Sequence, residues 1–222
     1  MGDMKLKTGT GLTEHGIDYE KKTIMVDFSG DYEGQCYRND PSIFFFVANS
    51  YRKSFYVLSN YIDKLFENKA NSKEIEHLVL PYVFSFRHYL ELEFKAIITS
   101  MTNEITDDTH SLKDLMNSLE KALKAVSENE QSYRLFQMNF QENKAKALEV
   151  YTEIKGLINQ FLSSEPSVEY YRYLFKKKMT LNDPVLSLDY RESDKLFREI
   201  DLKFIELNKI LREMDVYVYF TL

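Results

Sequence analysis

Two runs in this chain repeat apolar residues at alternating steps of four and three, and that rhythm limits what the chain can fold into. Phe44, Ala48, Tyr51, Phe55, Leu58, Ile62 and Leu65 are spaced 4, 3, 4, 3, 4, 3. Near the C-terminus Phe197, Ile200, Phe204, Leu207, Leu211, Met214 and Val218 are spaced 3, 4, 3, 4, 3, 4. An α-helix turns once in about 3.6 residues, so each series falls on one stripe of a helix, whereas a strand would scatter it over both faces. Both runs read as long amphipathic helices whose stripes must be covered by other helices.

Three more segments fit between them. Asp40-Pro41 suits a helix start, with Asp as cap and Pro in the first turn, where its missing N–H costs nothing. A second helix runs over residues 72–101, with Pro81 either kinking it or marking its true start. A polar loop over 102–109 follows, and Ser111-Leu112-Lys113-Asp114 then has the form of a capping box with Asp in place of Glu. Leu112, Leu115, Met116, Leu119, Leu123 and Val126 give the third helix one apolar face. A fourth helix covers about 131–162, with Phe136, Phe140, Ala147, Tyr151, Ile154, Ile158 and Phe161 as its stripe. The last opens near Ser193. The expected fold is all-α, an antiparallel bundle of about five helices over residues 40–222.

Two regions break the helical pattern. Six of the seven glycines precede residue 35, which sets off residues 1–39 as an arm of different character. Within it residues 23–28 have the composition of a short strand. Residues 166–192 hold Pro166 and Pro184 and form an irregular insert. Its 168–178 portion is aromatic and β-branched, so with 23–28 it fits a small β-hairpin accessory.

Composition narrows the function classes. The net charge of −6 excludes a protein that coats nucleic acid through bulk electrostatics, though not one with a local basic site. Cys36 is the only cysteine, so no intrachain disulfide or Cys-rich zinc site can form, in keeping with a reducing cytoplasm. No P-loop, dinucleotide fingerprint or HExxH is present, no cofactor or metal is implied, and the start of the chain has no signal-peptide pattern. The apolar run over 78–101 has the length of a membrane span but carries five ionisable groups, which argues against a membrane role.

Those five groups are the chemical anomaly. Arg87, Glu91 and Lys95 recur at i, i+4 and i+8 and share one helix face; His88 borders it, and Glu93 is expected to face solvent. One reading is an ion ladder satisfied within the bundle. The other is a polar pocket in which Arg87 and Lys95 meet an anion and His88 moves a proton. His110 precedes a helix N-terminus, where free backbone N–H groups favour negative charge. Arg172 and Lys176 to Lys178 among tyrosines read either as a nucleic-acid surface or, more economically, as a Lys-guarded strand edge.

The run Phe86-Arg87-His88-Tyr89-Leu90-Glu91-Leu92-Glu93-Phe94-Lys95, followed by His110-Ser111-Leu112-Lys113-Asp114-Leu115, resembles the signature of bacterial HEPN-like proteins, a superfamily of all-α bundles that commonly dimerise. The resemblance covers about 30 residues of motif. It implies a role in a stress, toxin–antitoxin or abortive-infection (phage-defence) system, with RNA or a nucleotide as ligand. It further implies a homodimer and an antitoxin or operon partner. Catalytic members carry Arg-x(4–6)-His, whereas none of His15, His77, His88 and His110 has an Arg five to seven positions upstream. The resemblance carries over Arg87 and His88 as the candidate catalytic pair, and Arg87, Glu91, Lys95 and His110 as the candidate binding set; without that motif no reaction is assigned. The alternative is a non-catalytic dimerisation or partner-binding module whose cluster is a structural ion network.

Overall fold

The computed structural model describes residues 17–18, 23–24, 41–102, 109–126, 139–164 and 189–214. Backbone contacts divide the chain into two units, Met1–Asp40 and Pro41–Leu222. In the first, β1 (Ile17–Asp18) and β2 (Thr23–Ile24) pair antiparallel, Ile17 opposite Ile24 and Asp18 opposite Thr23. The strand expected over 23–28 thus begins where predicted, paired with its immediate predecessor. The four-residue connection between them closes at low cost in chain entropy. The stretches 168–178 and 25–28 lie outside the described residues.

Among its described residues the second unit is an all-α bundle of α1 (Pro41–Glu67), α2 (Ser72–Thr102), α3 (Leu112–Ala125), α4 (Phe140–Ser164) and α5 (Tyr190–Glu213). Of the α1 stripe, Ala48, Phe55, Ile62 and Leu65 are buried, while Phe44, Tyr51 and Leu58 pack along its margin. α1 ends in a Schellman turn. The Ala70 N–H donates to the Leu65 carbonyl at 2.9 Å and the Lys69 N–H to that of Phe66 at 3.1 Å, with Lys69 left-handed at φ 51°. Asn71 then caps α2, its Oδ1 accepting from the Lys73 N–H at 3.0 Å. A four-residue turn folds α2 back along α1.

α2 passes through Pro81 without ending. Pro81 is exposed, so the carbonyl its ring leaves without an N–H can turn to water. From Tyr82 onward α2 is enclosed on nearly every side: α1 packs on it, and so does α3. Ser111 caps α3 by accepting from the Asp114 N–H at 3.2 Å. The reciprocal half of the expected capping box is made differently, since the Ser111 N–H donates to Thr109 Oγ1 at 3.1 Å. At the other end of α3, Lys144 of α4 donates to the carbonyls of Lys124 and Val126.

α4 is described from Phe140; residues 131–138 of the predicted fourth helix lie outside the described ones. α5 opens at Tyr190, three residues ahead of the predicted Ser193, because Asp189 accepts from the Glu192 N–H and supplies the cap. Its stripe is buried as expected from Phe197 to Met214; Val218 is not among the described residues. Phe55, Phe86, Phe161 and Phe197 bring α1, α2, α4 and α5 to one aromatic centre, with Phe86 and Phe197 stacked 4.0 Å apart. Among the described residues no helix is long and apolar enough to cross a membrane.

Candidate functional site

Arg87, His88, Glu91 and Lys95 project from the enclosed part of α2 towards the start of α3, where His110 sits one residue before the cap. The structure brings all five together. Lys95 Nζ donates to Glu91 Oε1 at 3.2 Å, and His110 Nδ1 is 2.7 Å from the same oxygen. Arg87 Nη1 lies 3.7 Å from Glu91 Oε2, while its Nη2 donates to the His110 carbonyl at 2.9 Å. His110 is thus held twice, its backbone carbonyl by Arg87 and its ring by Glu91. His88 Nδ1 stands 3.9 Å from Glu91 Oε2, farther than a hydrogen bond reaches.

Burial divides these residues into two sets. The side chains of Arg87, Glu91 and Lys95 keep only 4%, 1% and 6% of their surface, whereas His88 keeps 21% and His110 53%. A buried carboxylate is tolerated only where donors converge on it. Burial here would raise the Glu91 pKa, but the imidazoles of His88 and His110 and the Lys95 ammonium outweigh it and hold the carboxyl well below the ordinary range. Of the two imidazoles the shorter contact belongs to His110. An ionised Glu91 only accepts, so His110 Nδ1 carries the proton and the far ring nitrogen, Nε2, is left for solvent or ligand.

Glu93 corrects an expectation. It is buried against α5, where its Oε1 accepts from Asn208 Nδ2 at 2.6 Å. α2 is covered on the face that a two-sided helix would have turned to water. Desolvation pushes the Glu93 carboxyl up to about 7, against the Asn208 amide and with the help of nearby Asp201.

Sequence reasoning missed a second polar system, which joins α1 to α5. Asp201, fully buried, accepts from Arg52 through both oxygens (2.6 and 2.9 Å), from Tyr56 at 2.6 Å and from Tyr89 at 2.9 Å. Two helical turns earlier Asp194 accepts from Ser59, Tyr82 and Arg198, and Arg198 also donates to Ser59. A signal was present: Arg52, Tyr56, Ser59 and Asp63 recur at 4, 3, 4, a polar stripe beside the apolar one. Next to this seam lies an open cleft of about 480 Å³ lined by Tyr190, Arg191, Asp194, Lys195 and Leu202 among others. None of the five predicted site residues borders it. In its lining Asp63, Tyr190, Asp194 and Arg198 are already paired, so the chemistry is better sought at half-exposed His110 and partly exposed His88.

The described residues contain no group of three or more His, Cys, Asp or Glu disposed to hold a metal ion. Fold and site together define a helical-bundle protein with a carboxylate-centred cluster whose histidines reach the surface. Compared with known proteins, the chain matches no family model, no curated protein and no solved structure.

Proposed function

We propose that this is a HEPN-like helical protein that binds or processes RNA or nucleotides in a bacterial stress, toxin–antitoxin or phage-defence system. The observation carrying this reading is the pairing of His110, half exposed, with a buried ionised Glu91 at 2.7 Å. A carboxylate behind an imidazole fixes its tautomer and orientation, the arrangement general acid–base chemistry on a phosphodiester uses. Arg87 and Lys95 then act from behind: Arg87 pins the His110 backbone and Lys95 holds Glu91, while His88 and His110 meet the phosphate.

The test is expression in a bacterial host, together with RNA binding and cleavage by the purified protein. Wild type is expected to be toxic or to bind RNA, with His88→Ala and His110→Ala each abolishing the effect. A harmless protein that neither binds nor cleaves RNA would sink the proposal. A second reading rests on the near-complete burial of Arg87, Glu91 and Lys95, which suits a structural network in a non-catalytic dimerisation or partner-binding module. It predicts that the histidine variants leave every cellular effect unchanged, while Glu91→Ala unfolds the chain.

A further inference from the structure

We infer that Tyr51, Phe84 and His88 form a stacking ledge for a nucleobase, which makes single-stranded RNA the ligand class; this rests on the RNA-binding reading above. The three rings belong to α1 and α2 and touch one another. Tyr51 meets His88 edge-on at 4.4 Å, Phe84 lies parallel to His88 at 5.6 Å, and Tyr51 and Phe84 are 6.4 Å apart. They differ from the aromatic centre of the bundle in one respect. Phe55, Phe86, Phe161 and Phe197 are sealed, whereas Tyr51, Phe84 and His88 are each only partly covered. The Tyr51 hydroxyl makes no hydrogen bond to a described residue.

Position gives the ledge its ligand. His88 is at once a member of the ledge and a neighbour of Glu91, the carboxylate that holds His110. A phosphate at the two histidines therefore has a π surface beside it, which is the pairing of groups a nucleotide presents. Any base offers a π face, so such a surface binds without reading sequence, but only a base released from a duplex can use it. In the net charge of −6 there is no bulk attraction to replace that contact.

The experiment is fluorescence anisotropy with three labelled probes: a single-stranded oligouridylate, the same strand annealed to its complement, and inorganic polyphosphate. Single strands are expected to bind at least ten-fold tighter than the duplex. Tyr51→Leu and Phe84→Leu, which keep an apolar seal, should each weaken single-strand binding about ten-fold or more, and Tyr51→Phe should bind nearly as wild type. If either Leu variant fails to fold by thermal melting, the other Leu variant and the duplex comparison still decide. Equal affinity for duplex and single strand, or Leu variants that bind as wild type, overturns the ledge and leaves phosphate binding intact. Binding of polyphosphate alone does the same, whereas no binding of any probe overturns both the ledge and the function.

Discussion

Two glutamates two positions apart on α2 titrate in opposite senses, because one gathers donors and the other gathers apolar surface. Glu91 has a depressed pKa, so its stabilising contribution is present above the unfolded-state value and drains away as pH falls through the folded one. Removing its carboxylate while Lys95 stays buried leaves a charge poorly compensated, and Glu91→Ala should cost about 3–5 kcal/mol in urea unfolding. Glu93 is raised from 4.5 to about 7, so the folded chain holds its proton longer than the unfolded one. Stability should therefore fall between pH 4.5 and about 7, by up to about 3 kcal/mol from this group, and level off above. Glu93→Gln keeps the hydrogen bond to Asn208 within reach and should flatten that slope. A slope unchanged in Glu93→Gln would place the titration elsewhere.

At the scale of the helices, the four-and-three rhythm located α1 and α5 because one buried stripe against water is the simplest hydrophobic pattern a helix can carry. α2 was less legible on its polar side. A helix in the middle of a bundle buries most of its circumference, and no periodicity tells which of its charged residues meets a partner; Glu93 was misplaced for that reason. The α1–α5 polar stripe was missed because its donors and acceptors lie about 130 to 150 residues apart and only the fold aligns them. The cluster itself was legible as far as one helix face, since i, i+4 and i+8 spacing is local, whereas the contribution of His110 depended on how a loop closes. Local rules also allow a prediction at the end of α1. Lys69 sits at a left-handed position where a Cβ is unfavourable and glycine is not. Lys69→Gly should raise stability by about 1 kcal/mol, read as a higher melting temperature.

Within the bundle, polar bonds join α1 to α5 beside the apolar contact of Phe55 with Phe197. α1 and α5 meet through Arg52, Tyr56 and Ser59 against Asp194, Arg198 and Asp201, so that contact is directional and specifies one register. The chain that would have to admit an RNA carries a net charge of −6. A ligand held at two histidines and an aromatic ledge neutralises few phosphates, so few counterions are released on binding. The logarithm of affinity should therefore fall against the logarithm of salt concentration with a slope of about −1, roughly 0.7 per phosphate contacted on a single strand. A slope steeper than about −4 would mean that a broad basic surface makes the contact. The Arg172 and Lys176 to Lys178 stretch would then be the place to look, and charge reversal there should abolish the steepness while His110→Ala leaves it unchanged.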